Sequence, residues 1–172
     1  MTAVLRPASS LETKEVMGLI QERIHWMDQV GIHQWNDEEY LKKYPLPYFE
    51  AHQRAGRLYV LEEDGRITGA VALLDQDPRW TDGLPAWYVH HLVGDPRVPG
   101  AGRRVLEKAL ELASSQGKNR LRLDSSLGNQ RLAAFYRGFG FESRGTVTDG
   151  NYKGELWEKL LPLPCHPDFP NR

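Results

Sequence analysis

A glycine-containing turn, Arg97 to Gly102, is the stretch of this chain that is best suited to bind a ligand. It lies between an apolar run, 86–93, and a helical pattern, 103–115. Glycines let the backbone approach a ligand closely, and the unpaired N–H groups of a first helical turn point at it with the positive end of the helix dipole. A strand, a turn and a helix start in this order therefore predict a phosphate site.

Two nucleotide-binding classes of phosphate site can be compared with the residues of this turn. A nucleotide P-loop requires Lys followed by Ser or Thr after its last glycine, whereas Gly102 is followed by Arg103 and Arg104. A dinucleotide fingerprint requires three glycines, and Val105 occupies the third position. Asp124, at the end of the next predicted strand and roughly 20 residues on, imitates the ribose-binding acid of that class. Residue identity excludes the P-loop, and the dinucleotide class stays open.

The elements that position this turn can be predicted from apolar periodicity and turn residues. The chain reads as a strand, helices, three strands, a helix, a strand, a helix and two strands. Strands are predicted at 2–6, 58–62, 67–74, 86–93, 120–124, 141–147 and 156–161, and helices from the capping box at 9–12 to Gly31 and at 37–43, 48–54, 103–115 and 130–137. Asp64-Gly65 predicts a hairpin.

This order predicts a mixed α/β (α+β) fold. Six to seven strands form a mostly antiparallel central sheet that about four helices flank, and a single strand–helix–strand crossover lies at its centre. With 172 residues, the chain predicts one domain over 1–161, followed by a Pro-rich tail at 162–172.

Composition limits the partners and the location. The hydrophobic fraction of 40% and charged fraction of 26% are those of an ordinary globular chain, and the net charge of -1 argues against nucleic-acid binding. The one cysteine, Cys165, cannot form an internal disulfide. There is no signal-like N-terminus and no apolar run of the roughly 20 residues that span a bilayer, so we expect a cytoplasmic protein without a membrane partner.

Two segments of the chain resemble the GNAT superfamily of N-acetyltransferases. The turn, Arg97-x-x-Gly100-x-Gly102, matches that family's Gln/Arg-x-x-Gly-x-Gly/Ala signature. Downstream, the second signature is similar to Asn129-x-x-Leu132-x-x-Phe135-Tyr136-x-x-x-Gly140-Phe141. The predicted GNAT-like element order extends the likeness over almost the whole chain. In two departures, Pro96 directly precedes Arg97, and Pro99 has no N–H to donate, so we expect a tighter loop.

The resemblance implies acetyl-CoA as the cosubstrate and no metal. N–H groups of the turn, from Gly100, Gly102, Arg103 and Arg104, would hold the pyrophosphate, and the two arginine side chains would add phosphate contacts. The pantetheine arm would lie along the strand that contains Leu92. The coenzyme-binding residues implied in this way are Leu92, Val93, Arg97, Val98, Gly100, Ala101, Gly102, Arg103, Arg104, Asn129 and Tyr136. Asn129 is alternatively a plain helix cap.

Acyl transfer to an amine needs a deprotonated amine, a group that stabilises the oxyanion and a proton for the departing thiolate. The resemblance implies a backbone N–H near Leu92 for the oxyanion and Tyr136 as the general acid, although a tyrosine on an apolar helix often only packs. Strand alternation places Tyr88 and His90 on the same face as Leu92 and His91 on the other. The resemblance implies that a residue on the face of Tyr88 and His90 is the base or holds a water. A strand histidine is alternatively a hydrogen-bonded core residue.

We expect the pocket for the acceptor amine to be lined by Gln34, Trp35, Tyr88, His90 and Asp124. Gln34 and Trp35 begin an aromatic segment, 34–48. Alternatively the aromatic rings cover the sheet, and Asp124 pairs with Arg122 or Arg131. The resemblance implies direct attack by a small primary amine in a ternary complex, and homodimers are common in the family. A catalytically silent acyl-CoA-binding module and a dinucleotide-binding enzyme remain as alternatives.

Overall fold

The computed structural model describes residues 2–36 and 39–162, so Cys165 and most of the Pro-rich tail lie outside the described residues. The predicted order of elements is confirmed. The strands are β1 Ala3–Pro7, β2 Leu58–Glu63, β3 Arg66–Leu74, β4 Trp87–Gly94, β5 Arg120–Ser126, β6 Glu142–Asp149 and β7 Tyr152–Leu160. The helices are α1 Thr13–Val30, α2 Tyr40–Lys43, α3 Leu46–Arg54, α4 Ala101–Ser115 and α5 Gln130–Gly138.

The strands form one seven-stranded sheet in the order β1-β2-β3-β4-β5-β7-β6. β4 and β5 are parallel, as the crossover through α4 requires, whereas the pairs β1–β2, β2–β3, β5–β7 and β6–β7 are antiparallel. The predicted mixed, mostly antiparallel fold is therefore confirmed. By internal packing the chain forms two compact units, 1–74 with 89–109 and 75–88 with 110–172.

The first unit is built on the β1–β2–β3 meander. The turn between β2 and β3 has positive φ at both Asp64 (51°) and Gly65 (77°), as the predicted two-residue hairpin requires. α1 begins after Glu12, whose carboxylate accepts the Ser9 N–H at 2.7 Å. Buried side chains from the helices and strands form the core of this unit: Ala8, Val16, Leu19, Ile20, Tyr40, Phe49, Leu58, Val60, Ala70 and Val93.

The second unit is built on the strands β5, β7 and β6. It also contains α5 and the last residues of α4. Trp157 of β7 is fully buried, and its indole Nε1 donates to Ser125 Oγ at 2.9 Å. Arg137 lies over the same indole, with its guanidinium carbon 5.1 Å from the ring centroid. Among the residues that the structure describes, every helix is too short or too polar to span a bilayer.

Candidate functional site

The turn after β4 is folded on the Asp95 carboxylate. Oδ1 accepts the Arg97 N–H at 2.9 Å and Nε at 3.0 Å, and Oδ2 accepts Nη2 at 3.0 Å. These bonds with Arg97 lower the pKa of the Asp95 carboxyl, although burial opposes them. The Val98 N–H donates to the Asp95 carbonyl at 3.0 Å. The Asp95 side chain and carbonyl therefore fix the loop for which the sequence predicts a phosphate site.

Two glycines let the helix start approach the strand end. A Cβ on Gly94 would lie 2.3 Å from the backbone N of Gly102, which no side chain tolerates. Gly100 has φ of +78°, a conformation that L residues rarely adopt. α4 begins at Ala101, two residues before the predicted start at Arg103, so Gly102 lies within its first turn.

Not all of the predicted backbone donors of this turn are open. The Arg104 N–H donates to the Gly100 carbonyl at 3.1 Å, and the Ala101 N–H donates to the Val98 carbonyl at 3.2 Å. The N–H groups of Gly100 and Gly102 make no hydrogen bond within residues 2–36 and 39–162. Two donors at a helix N-terminus are thus available to an anion.

The side chains of Arg103 and Arg104, in the first turn of α4, have different surroundings. Arg104 donates from Nε and Nη2 to the Glu63 carboxylate at 2.9 and 3.1 Å and from Nη1 to the Pro99 carbonyl at 3.2 Å. Glu63 is 3% exposed and also accepts the Thr68 hydroxyl at 2.6 Å. Arg103 has a side chain that is 56% exposed, with Glu107 at 3.2 Å. Arg104 therefore ties the turn to the β2–β3 hairpin, while Arg103 faces solvent.

The Glu63 carboxylate stays charged in this buried position. Burial alone would raise the pKa of its carboxyl, but the hydrogen bonds from Thr68 and Arg104 outweigh burial and hold the pKa below its usual range. An ionised Glu63 gives Arg104 a permanent partner.

Arg23 of α1 contacts the end of β4 beside the turn, a contact that was not predicted from the sequence. Its Nη2 and Nε donate to the Gly94 carbonyl at 2.7 and 3.2 Å, and its guanidinium carbon lies 4.7 Å from the Trp26 ring centroid. The two bonded residues are 71 positions apart, and no local pattern signals the pair.

β4 departs from regular strand geometry at His91. This residue has φ of +55°, and the centroid of its ring lies only 6.0 Å from that of His90. The prediction that His91 faces away from His90 is therefore wrong, because a left-handed residue interrupts the alternation of side chains. The predicted placement of Leu92 on the same face as Tyr88 and His90 depends on an alternation that continues past His91.

The His91 ring is enclosed by aromatic residues of α2 and α3. Nδ1 is hydrogen bonded to the Tyr40 hydroxyl, and Nε2 lies 2.8 Å from the Tyr48 hydroxyl. Tyr44 and Phe49 contact the ring edge-on, with centroids 4.6 and 5.1 Å away. Burial, followed by the charges of His90 and His52, holds the pKa of His91 well below its usual value, so the ring is neutral.

The predicted acceptor residues of the first unit lie beside this cluster. Trp35 stacks on Tyr40 with centroids 4.5 Å apart and packs against the core, as the sheet-covering alternative expects. The Gln34 N–H donates to Asn36 Oδ1 at 2.9 Å, and its side chain is half-buried.

In the second unit, Tyr88 belongs to a buried charged network. Arg122, 1% exposed, donates to the Asp82 carboxylate at 2.6 and 2.9 Å, to Glu158 at 2.7 Å and to the Tyr88 hydroxyl at 3.3 Å. The Trp80 ring centroid lies 4.3 Å from the same guanidinium. Because Tyr88 accepts from Arg122, the proton of its hydroxyl remains able to donate.

Asp124 of β5 has partners other than those expected. Instead of Arg122 or Arg131, Oδ2 accepts Arg79 Nη1 at 3.0 Å and the Tyr152 hydroxyl at 2.5 Å. Arg79 lies over the Tyr152 ring, 4.5 Å from its centroid. Both Asp124 bonds use the same oxygen, which leaves Oδ1 without a hydrogen bond in the described part of the chain.

α5 carries the two residues of the second signature. Tyr136 is buried against Phe141 and Trp157, with ring centroids 5.9 and 6.3 Å away. Burial first, and then the negative charge of Asp124, raise the pKa of its hydroxyl, so the phenol is protonated at neutral pH. Asn129 is the N-cap of the helix, and its Oδ1 accepts the Leu132 N–H at 3.1 Å.

The predicted site residues fall in both units. The first unit holds Gln34, Trp35, His90, Leu92, Val93, Arg97, Val98, Gly100, Ala101, Gly102, Arg103 and Arg104, and the second holds Tyr88, Asp124, Asn129 and Tyr136. The ladder between β4 and β5 comprises two pairs, Trp87 with Leu121 and Tyr88 with Arg122.

Comparison with known proteins gives consistent relatives. A curated relative, the uncharacterized N-acetyltransferase YesJ of Bacillus subtilis (strain 168), is 27% identical over 164 residues, which cover 90% of this chain and 88% of that protein. The GNAT-family acetyltransferase structure from Listeria monocytogenes has a TM-score of 0.75 at 21% identity, covering 92% of this chain and 95% of that chain.

The PaiA N-acetyltransferase from Thermoplasma acidophilum, solved in complex with coenzyme A, has a TM-score of 0.72 at 18% identity, covering 93% of this chain and 99% of that chain. The model of the acetyltransferase (GNAT) family matches residues 20–141. Since that match spans more than half of the sequence, the chain belongs to the acetyltransferase (GNAT) family, and its enzyme class is that of the N-acetyltransferases.

Proposed function

We propose that this chain transfers the acetyl group of acetyl-CoA to a small primary amine by direct attack in a ternary complex. The observation that carries the proposal is the turn after β4, where the N–H groups of Gly100 and Gly102 lie at the N-terminus of α4 and make no hydrogen bond within the described residues. Such a pair of donors suits a pyrophosphate. A cytoplasmic location belongs to the same proposal.

The coenzyme is bound by the turn and by the strand before it. The backbone of Arg97 to Gly102 and the exposed side chain of Arg103 contact the phosphates, and Arg104 keeps the turn in place through Glu63. The pantetheine arm pairs with the main chain of Leu92 and Val93, and Asn129 contacts the arm from its cap position. A neighbour solved in complex with coenzyme A supports this assignment.

The acetyl transfer uses three groups of the chain. The amine nitrogen attacks the thioester carbon, and the N–H of Leu92 stabilises the oxyanion that forms. His90, or a water held by the Tyr88 hydroxyl, takes the proton that the amine loses. The carbon–sulfur bond then breaks, and the Tyr136 hydroxyl donates its proton to the thiolate. The raised pKa of Tyr136 keeps this proton in place until the thiolate forms.

The amine is recognised by polar and aromatic groups. Gln34, Trp35, Tyr88, His90 and Asp124 are the proposed acceptor contacts. Oδ1 of Asp124, which makes no hydrogen bond to the described part of the chain, supplies an acceptor for an N–H of the amine, and Arg79 holds the carboxylate through Oδ2.

Release of CoA thiol from acetyl-CoA across a panel of amines tests the proposal. Tyr136→Phe should lower kcat by about 100-fold or more, the usual contribution of a general acid. The matched control, Tyr44→Phe, removes a phenol hydroxyl elsewhere and should retain wild-type kcat.

Each other outcome has a definite meaning. Unchanged turnover in Tyr136→Phe removes that residue as the acid. A chain that binds acetyl-CoA but releases no thiol with any amine is a silent acyl-CoA-binding module. Thermal stabilisation by nicotinamide dinucleotides in place of CoA would support the dinucleotide-binding alternative.

A further inference from the structure

His91 adopts a backbone conformation that its residue type disfavours, in the middle of β4. Its φ of +55° lies in the left-handed region, which non-glycine residues seldom enter and which regular strand geometry does not include. Such a conformation persists only where surrounding contacts hold it. The side chain of His91 is therefore the place to look for those contacts.

Both ring nitrogens of His91 are hydrogen bonded to tyrosines. Tyr40 reaches Nδ1 from α2, and Tyr48 reaches Nε2 from α3 at 2.8 Å. A neutral imidazole has one N–H donor and one acceptor nitrogen, so one hydroxyl accepts while the other donates. The two helices therefore hold the ring from both sides, and a rotation of the ring breaks at least one bond.

The torsions of His91 set the direction of the next peptide N–H. That N–H belongs to Leu92, which the proposed function uses to stabilise the oxyanion. In a regular strand this N–H would lie in the plane of the sheet and point toward an adjacent strand. A left-handed residue rotates the peptide plane that follows it. The conformation of His91 thus decides where the Leu92 donor points.

We propose that His91, clamped by Tyr40 and Tyr48, is a positioning residue that aims the Leu92 N–H for acetyl transfer. This inference rests on the proposed function, because the oxyanion is the group that the N–H serves. His91 does not act as the base, since neither ring nitrogen is open to a substrate.

A matched pair of hydroxyl deletions tests the clamp. Tyr48→Phe removes the bond to Nε2, whereas Tyr44→Phe keeps a ring that contacts His91 and removes a hydroxyl that makes no hydrogen bond in the described chain. Tyr48→Phe should lower kcat by about tenfold or more, a part of the loss expected when an oxyanion donor is removed. The Kd for acetyl-CoA should change by less than about twofold, because the phosphate donors are untouched.

A second pair separates backbone conformation from side-chain packing. His91→Gly and His91→Ala both remove the imidazole, but only glycine adopts positive φ without strain. We expect kcat of His91→Gly to exceed that of His91→Ala by about fivefold or more, measured per folded enzyme. Equal values, or a higher value for alanine, would overturn the positioning role.

A readout without substrate keeps this inference separate from the proposed function. The amide ¹H–¹⁵N chemical shift of Leu92, recorded in the free enzyme, should move in Tyr48→Phe and stay in place in Tyr44→Phe. An unmoved Leu92 signal, or equal kcat in the two tyrosine variants of an active enzyme, would overturn the proposal. If the wild-type enzyme transfers no acetyl group, the proposed function fails and the Leu92 shift still decides whether the clamp aims this N–H.

Discussion

Gly94 and Gly102 meet where β4 ends and α4 begins, and alanine at the two positions should have opposite effects on stability. A Cβ on Gly94 lies 2.3 Å from the Gly102 nitrogen, so the two backbones must separate by about 1.1 Å to reach an ordinary contact of 3.4 Å. Backbone atoms cannot rotate away as a side chain does. We expect Gly94→Ala to lower the free energy of unfolding by about 1–3 kcal/mol or more, as overpacking does.

Alanine at Gly102 meets no such obstacle. Its Cβ would lie 3.8 Å from the Gly94 nitrogen, which is an ordinary van der Waals contact, and the position lies in the first turn of α4. Replacing a helical glycine by alanine stabilises by roughly 0.5–1 kcal/mol. At about 2–4 °C per kcal/mol for a chain of this size, Tm should rise by roughly 1–4 °C.

Coenzyme binding should nevertheless weaken in both variants. The methyl group of Gly102→Ala stands beside an N–H that the proposed site offers to a phosphate, so the phosphate is held further away. The loss of one charge-assisted hydrogen bond, about 1.5–3 kcal/mol, raises the Kd for CoA by at least about tenfold. A Gly102→Ala variant that is more stable than the wild type but binds CoA more weakly is expected only if the ligand lies at this turn.

Thermal unfolding and isothermal titration with CoA provide the two measurements. Gly138→Ala in α5 is the control for adding a methyl group, because a Cβ at this position meets no atom of the described residues within 4 Å. A stabilised Gly102→Ala that binds CoA as tightly as the wild type would refute the assignment of the phosphates to this turn. A Gly94→Ala variant with wild-type Tm would refute the close approach.

Two further predictions concern carboxylates of the first unit. Hydrogen bonding to Arg6 lowers the pKa of Glu12 from 4.5 to about 2 in the folded chain. Because a lowered pKa in the folded state stabilises the fold above the unfolded pKa, wild type should be more stable than Glu12→Gln by the full amount above about pH 4.5, and this difference should vanish toward pH 2. Denaturant unfolding at several pH values measures the difference, and a difference that stays constant with pH would contradict the prediction. Glu63→Gln should weaken CoA binding several-fold, because Arg104 would lose the charged partner that holds the turn in place. Tighter CoA binding would instead mean that Glu63 keeps the Arg104 side chain away from the phosphates. Glu107→Gln, beside the exposed Arg103, is the matched control.

Features that depend on neighbouring residues could be predicted from the sequence. The Asp64-Gly65 hairpin follows from the freedom of these residues to adopt positive φ, and the apolar stripe of α4 follows from helical spacing. The Asn129 cap was one of two predicted roles, and its bond to the Leu132 N–H is local as well.

Features that depend on distant partners could not be predicted. Alternation along β4 fails at His91 because tyrosines 43 and 51 positions away hold its ring. Glu63 and Arg104 are 41 positions apart, and nothing in either neighbourhood indicates the pair. Sequence proximity likewise favoured Arg122 as the partner of Asp124, but Arg122 is occupied by Glu158 and Asp82.

The buried guanidinium of Arg122 sets how the connection between β3 and β4 moves. Asp82 and Trp80 of this connection supply two of its principal contacts. If the connection lifts away, a cation that is 1% exposed keeps Glu158 but loses its bidentate partner and its aromatic cover. Such an opening carries the cost of an uncompensated buried charge. Residues 75–86 should therefore exchange their amide hydrogens together with β5 and β7, as one cooperative unit, although they form a loop.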